Sequence, residues 1–450
     1  MHRWRSVPDR PARNGIVGRI YGNLGRLIGG KAAAGIVSLA YLAIAARALG
    51  PHDYGVLVLV HGFAMAVGGI VGFPGWHAVV RYGAQADAAR DPARLARLLR
   101  FAGLVEGAAG LLAVLTTALL AQMLGARMGW SAAAIAFALP YSLAVLASVR
   151  ATPAGYLQLQ GRFDLLGAHN LVAPVVRLAG ALLIMAAGGG LRAFLIVWLL
   201  AALAEWAAMW ALGIMVARKR LHTPLLGGIR GVIGENPGLW RFMLAANADI
   251  TLTELGGRVT PLVIGGMLGP VAAGLYAVAQ RVTVIIAQPA QMLGQAAYAE
   301  LARLVADGGR GQPVRRALLR CAGLALVTTL PVLTGIALFG RTLAVTMAGP
   351  AFAGATVVLL WLAVARALLV VGPPVSAALV ALGRPGLSVI ANLVAGLALL
   401  PLLPPLLAYA GLMGAGIHAL LQAVTALLLL ILFVRHESRA STPRPHILTA

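Results

Sequence analysis

Nine ionisable residues interrupt long apolar stretches of this chain: Lys31, Glu106, Arg177, Glu205, Asp249, Glu254, Arg258, Arg281 and Arg366. A charge held in a hydrocarbon layer is costly, so each is a candidate for function. Guanidinium stays protonated and forms paired bonds with phosphate oxygens, so arginines around a cavity suit an anionic, phosphate-bearing substrate. A cavity for cationic compounds would favour carboxylates and aromatic rings. Arg258, Arg281 and Arg366 lie nearest mid-span and are expected to face a cavity. Lys31 and Arg177 lie within about 9 Å of a span boundary, close enough to reach the interface along their own stems. Lys31 and Arg177, by the alternative to that reading, and Arg47 join the candidate substrate contacts. Glu254 stands four residues before Arg258, which leaves two readings open: a salt bridge within one helix, or a shared role at the substrate.

Other chemistries find no support. The chain has no Walker loop, no zinc-type histidine spacing and no G-x-S-x-G turn. His61 and His418 fall inside apolar stretches, either as buried neutral rings or as proton sites. The single cysteine, Cys321, excludes an intramolecular disulfide and a cysteine metal cluster. Neither enzymatic activity nor a cofactor or metal is expected.

The elements that position these residues are membrane helices. Hydrophobic residues make up 60% of the 450 and charged residues only 11%, against about 25% charged in soluble domains, and the mean hydropathy is +0.88. At roughly 20 residues per crossing, the chain supplies about twelve transmembrane helices. The expected class is all-α and polytopic, in two parallel six-helix repeats around a central cavity. The expected divisions are a basic segment 1–26, an N-lobe 27–217, a linker 218–241 acting as a hinge, a C-lobe 242–434 and a tail 435–450. The net charge of +23 would suggest nucleic acid in a soluble protein, but here it is distributed by topology. Most Lys and Arg fall on the side of the termini, whereas Arg47, Arg127, Arg192 and Arg341 fall opposite. The positive-inside rule then places both termini in the cytoplasm, and no nucleic-acid partner is expected.

The two halves repeat at an offset of about 220 residues. Leu49-Gly50-Pro51 with Gly55 returns as Leu268-Gly269-Pro270 with Gly274. Arg100-x-Ala102-Gly103-Leu104 returns as Arg320-x-Ala322-Gly323-Leu324. Gly161-Arg162 with Asn170-Leu171-Val172-Ala173 returns as Gly383-Arg384 with Asn392-Leu393-Val394-Ala395. An even number of spans per repeat gives both halves the same orientation, with substrate between them.

At this point the chain resembles the polysaccharide transporter, or O-antigen flippase, branch of the multidrug/oligosaccharidyl-lipid/polysaccharide exporter superfamily. The likeness rests on Ala46-Arg47-x-Leu49-Gly50-Pro51-x-x-Tyr54-Gly55, on Gly274-x-Tyr276-x-x-Ala279-x-Arg281, on Tyr298-Ala299-Glu300-Leu301-Ala302 and on Ala348-Gly349-Pro350-x-Phe352-x-Gly354-Ala355. Many relatives carry an acidic-basic pair in the seventh helix where Thr260 and Pro261 stand here. The resemblance implies a bacterial inner-membrane flippase that moves an undecaprenyl-pyrophosphate-linked oligosaccharide outward by alternating access. Its implied partners are the bilayer, that lipid-linked glycan and a polysaccharide polymerase. The alternative is a cation-coupled drug or metabolite antiporter of the same superfamily. Some relatives bind a cation among the seventh, eleventh and twelfth helices, which marks Asp249, Asn392 and Thr425 as candidate oxygen ligands.

Overall fold

The computed structural model describes residues 16–221, 227–306, 312–381 and 384–440. Residues 1–15, 222–226 and 441–450, parts of the expected N-terminal segment, linker and tail, lie outside the described residues, as does Gly383 of the third repeat landmark. The first half comprises α1 (Ile16–Val71), α2 (Trp76–Ala88), α3 (Pro92–Leu124), α4 (Ala132–Tyr141), α5 (Ala151–Leu159), α6 (Phe163–His169), α7 (Val172–Ala187) and α8 (Leu191–Leu221). A short α9 (Val232–Glu235) leads into α10 (Leu239–Ala306), α11 (Gln312–Ala348), α12 (Thr356–Leu369), α13 (Gly372–Ala381), α14 (Pro385–Leu393), α15 (Leu403–Ala410) and α16 (Leu412–Ala440). Among the described residues there is no strand, and ten helical stretches are long and apolar enough to cross a membrane. The protein is an all-α, multi-pass membrane protein.

Two of those stretches, Gly29–Val71 and Leu239–Thr283, run 43 and 45 residues. At 1.5 Å per residue each is about 65 Å long, twice the hydrocarbon core of a bilayer. Each breaks at one glycine, Gly50 at φ 69° and Gly269 at φ 84°, a region that a side chain rarely enters. The prolines that follow lack the N–H needed to continue the helical ladder. The chain doubles back at Gly50. Tyr41 and His61 lie on opposite sides of the break, yet both contact Arg177, at 3.2 and 3.1 Å, where a straight helix would hold them about 30 Å apart. Counting each broken helix twice accounts for the expected crossings, and both breaks fall on the first repeat landmark.

The same landmarks meet across the lobes. The most extensive packing between elements joins α1 to α10, and it is reciprocal at this end. A Cβ on Gly55 would overlap the Pro270 carbonyl, and one on Gly274 would lie 2.7 Å from the Pro51 oxygen. Each glycine of one repeat therefore receives the proline of the other. Such backbone approach leaves no room for solvent and closes the molecule at the Gly50/Gly269 end.

The opposite, basic end is more structured than hydropathy suggests. Residues between the second and third spans form α2, which buries Ala78, Val79, Tyr82, Gly83 and Ala86. A helix of 13 residues with a polar face is invisible to a membrane-length window. The helix of the third span begins within the basic turn: Pro92 opens α3, and the Asp91 side chain accepts from the Arg94 N–H at 2.8 Å, an N-cap in front of proline at the first helical position. The second part of the linker is docked rather than loose. Arg94 donates to Asn236 Oδ1 at 2.9 Å, Arg97 pairs with Glu235 at 2.7 Å, and Arg100 donates to the Gly228 carbonyl at 2.9 Å. The described linker residues thus strap onto α3, and the arginines of that turn have specific partners besides their topological bias.

Proline breaks inside spans are satisfied locally. After α14 the helix widens at Val394–Ala398 and tightens at Leu400–Leu402 around Pro401. The carbonyls released there accept from Gln422 Nε2 at 3.1 Å (Gly396) and bond His418 Nε2 at 2.9 Å (Leu399). His418 is a buried structural residue.

Candidate functional site

Between the closed end and the basic end lies a cavity of about 680 Å³. Its walls come from the second half of α1, from α3, α5, α7 and α8, and from α10 across the lobe boundary. Three arginines line it, Arg150, Arg177 and Arg258, together with Glu106, Glu205 and Glu254. The glycines of α1 make the space: Gly62, Gly68, Gly69 and Gly72 all border the cavity, and a Cβ on Gly69 would collide with the Arg258 guanidinium.

Each carboxylate on the wall is already engaged. Glu254 pairs with Arg258 one helical turn away, and Glu205 pairs with Arg150 at 2.6 Å. Glu106, only 2% exposed, accepts the backbone N–H of Thr152 at 2.7 Å and that of Ala151. It caps the first turn of α5, where unpaired donors and the helix dipole both favour an anion. Glu106→Ala should therefore destabilise the protein by about 2 kcal/mol, and Glu106→Gln, which keeps one acceptor, by less. Thermal unfolding in detergent checks this, and an alanine variant that melts with the wild type would refute the capping role.

Arg177 differs. It donates Nη1 to the Tyr41 hydroxyl at 3.2 Å, bonds His61 Nε2 at 3.1 Å, and lies 5.4 Å from the Trp198 ring centroid. His61 Nδ1 in turn meets the Tyr141 hydroxyl at 2.9 Å. Among the described residues Arg177 has no carboxylate partner, and its Nε has no hydrogen bond. Hydropathy places it near a boundary; the hairpin of α1 and the aromatic wall instead turn it inward, with its charge uncompensated.

Arg258 crosses the lobe boundary. Besides Glu254, it donates Nη1 to the Met65 carbonyl at 2.9 Å. The salt bridge within α10 forms, and both of its partners stand on the cavity wall.

The sequence profile of the family described as "Polysaccharide biosynthesis protein" matches residues 44–356. The chain belongs to this family. Its first-half and second-half resemblances are thereby placed in one lineage. Inner membrane protein YghQ of Escherichia coli (strain K12) is similar to this chain, 25% identical over 270 residues, covering 60% of this chain and 76% of YghQ. Two solved structures share the fold. The lipid II flippase MurJ in an inward closed conformation gives a TM-score of 0.68 at 12% identity, covering 91% of this chain and 87% of MurJ. A multidrug resistance MATE family transporter of the MOP superfamily, in an inward-facing conformation, gives 0.65 at 16% identity, covering 92% and 96%. The likeness to both structures is one of fold.

The candidate residues read from the sequence divide accordingly. Arg258 and Glu254 line the cavity. Arg281 does not; its charge acts on Tyr41 and Tyr54. Arg366 acts on Tyr276 within the second lobe. Arg47 is exposed at the closed end and donates to the Thr346 carbonyl, and Lys31 is exposed on α1. Asn392 borders a space of about 230 Å³ with Ser376 and Gly372, a lining that includes neither Asp249 nor Thr425, and its amide donates to the Ser388 carbonyl at 2.9 Å. Asp249 is exposed, with His77 nearby. Among the described residues no cluster of three or more His, Cys, Asp or Glu is placed to hold a metal. Arg177, a candidate contact in the sequence, lines the cavity, as do Glu205, which the sequence marks only as an intramembrane charge, and Arg150, which it does not mark. Arg150 follows a 3-10 turn at the end of a span, where no window measure distinguishes it from a loop arginine.

Proposed function

We propose that this protein is a flippase of the inner membrane, with cytoplasmic termini, that carries a polyprenyl-pyrophosphate-linked oligosaccharide across the bilayer by alternating access and catalyses no covalent step. The observation that carries this reading is Arg177, a cation on the wall of a cavity between two lobes with no carboxylate partner among the described residues. A buried charge without a counter-ion is costly unless a ligand supplies one, and a pyrophosphate is a counter-ion that guanidinium binds through two oxygens. The positive-inside rule puts the basic end in the cytoplasm, so the cavity lies toward the face on which lipid-linked saccharides would be loaded. Arg258 holds the lobes together there through Met65. Its transfer from the Met65 carbonyl to a phosphate oxygen would release that contact and couple loading to lobe movement.

A cationic drug as substrate is less well matched. Glu106, Glu205 and Glu254 are each held by an arginine or by backbone N–H groups, so the cavity offers a cation no unengaged carboxylate among the described residues. Proteoliposomes containing the purified protein and a defined polyprenyl-pyrophosphate glycan should translocate the headgroup well above protein-free vesicles, with no uptake of cationic dyes. Dye uptake without headgroup translocation would replace this reading with the antiporter.

A further inference from the structure

The cavity-facing stripe of α1 carries a titratable ring. His61, Met65, Gly68, Gly69 and Gly72 all border the cavity, and their helical spacing keeps them on one face. His61 stands eleven residues beyond Gly50, and Arg258 eleven residues before Gly269, so both lie about 16 Å from the closed end. Arg177 reaches the same level, since it bonds His61. The hydrogen bonds assign the ring's proton. A guanidinium only donates, so His61 Nε2, at 3.1 Å from Arg177 Nη2, is an accepting lone pair. The proton of the neutral ring is then on Nδ1, which donates to the Tyr141 hydroxyl at 2.9 Å. Around the ring stand Tyr41 on the first limb of α1, Tyr141 on α4 and Arg177 on α7. The other charged groups on the cavity wall are Glu106 on α3, Arg150 before α5, Glu205 on α8, and Glu254 and Arg258 on α10. Each of those carboxylates is engaged by an arginine or by backbone N–H groups.

We propose that His61 is a second ligand for the pyrophosphate and holds it as an imidazolium, so that each loading of the cavity takes up one proton. This rests on the reading of the cavity as a site for a pyrophosphate-linked saccharide. A phosphate oxygen that accepts from Arg177 Nη2 withdraws that donor from Nε2. The freed lone pair then faces an anion, and a hydrogen bond between them requires a proton on Nε2. Conversely, a proton placed on Nε2 without an anion would set two donors against each other at 3.1 Å. Proton and anion therefore favour one another at this site, and by equal factors. Charge points the same way. A pyrophosphate diester carries one negative charge on each phosphorus. Arg177 offers one positive charge with no carboxylate partner among the described residues, and the imidazolium supplies a second. The proton comes from water at the basic end, and Nδ1–H stays on the Tyr141 hydroxyl throughout. Departure of the anion returns the proton to water and Nε2 to Arg177.

The test is calorimetry on the full chain in detergent, titrated with a synthetic polyprenyl-pyrophosphate-linked disaccharide in two buffers of unlike ionisation enthalpy. Slightly above neutral pH, the difference in heat should report about one proton taken up per ligand bound, and the affinity should fall by up to about tenfold for each further pH unit. His61→Gln keeps a group that accepts from Arg177 and one that donates to Tyr141, but it does not ionise. It should bind with no proton uptake, at an affinity that no longer varies with pH and lies about tenfold below the wild type near neutrality. If that variant fails to fold, nitrogen-15 histidine spectra of the wild-type chain carry the test: one neutral ring should gain a proton on its second nitrogen when the ligand is added. Binding without proton uptake, or equal uptake in His61→Gln and the wild type, would overturn this proposal and leave the pyrophosphate reading standing. Absence of binding at every pH would overturn both.

Discussion

Headgroup translocation falls about 10- to 100-fold in Arg177→Gln at unchanged protein levels, and Arg177→Lys falls between that variant and the wild type. A charge-assisted hydrogen bond contributes about 1.5–3 kcal/mol, and each 1.4 kcal/mol is tenfold. Lysine keeps the charge and loses the planar two-donor fork; glutamine loses both. The stability readout separates function from folding. Arg177 is half-buried and has no carboxylate partner among the described residues, so neutralising it breaks no ion pair there and removes only its bonds to Tyr41 and His61. The melting temperature of Arg177→Gln should therefore stay near that of the wild type. Arg281→Gln is the matched comparison. It removes another guanidinium from a membrane span, one that does not line the cavity, and it should retain most of the translocation. Loss of translocation in Arg281→Gln with retention in Arg177→Gln would move the anion site to the second lobe.

A single methyl group at Gly55 should open the closed end. A Cβ there collides with the Pro270 carbonyl, and both partners are backbone, so neither can swing aside as a flexible side chain would. Overpacking of this kind costs about 1–3 kcal/mol, enough to shift a two-state equilibrium about 5- to 150-fold away from the conformation described. Gly274→Ala, whose Cβ would lie 2.7 Å from the Pro51 oxygen, should act in the same direction less strongly. Gly266→Ala is the control, since a Cβ there meets nothing within 4 Å. Access is read with His61→Cys in a Cys321→Ala background, labelled by an impermeant thiol reagent. With the native Gly55, labelling occurs from the basic end only; with Gly55→Ala, labelling from the opposite side should rise severalfold. Equal labelling patterns in Gly55→Ala and Gly266→Ala would show that this contact does not govern closure.

The membrane class, the number of crossings and the duplication were all legible in the chain itself. Hydropathy is a local sum, and a run of roughly 20 apolar residues must be helical because lipid offers no partner for its backbone. Leu49-Gly50-Pro51 and Leu268-Gly269-Pro270 were legible as a repeat, though not as the two surfaces that close one end of the molecule. That required knowing that each hairpin presents its glycine to the other's proline. The division among arginines was not legible at all. Arg177, Arg258, Arg281 and Arg366 sit in comparably apolar surroundings, and a window average has no term for rotation about a helix axis. Packing sets that rotation: α1 doubles back to bring Tyr41 and His61 onto Arg177, the glycines of its second half admit Arg258 from the other lobe, and Arg281 and Arg366 stay off the cavity wall. The linker, read from its glycines, proline and charge as a hinge, is instead held in its described part by Arg94, Arg97 and Arg100, because residues more than a hundred positions apart meet only when the lobes form. Sequence determined which segments enter the membrane, since that depends on composition over one helix; tertiary structure alone decided which charges share a cavity, since that depends on how helices turn toward one another.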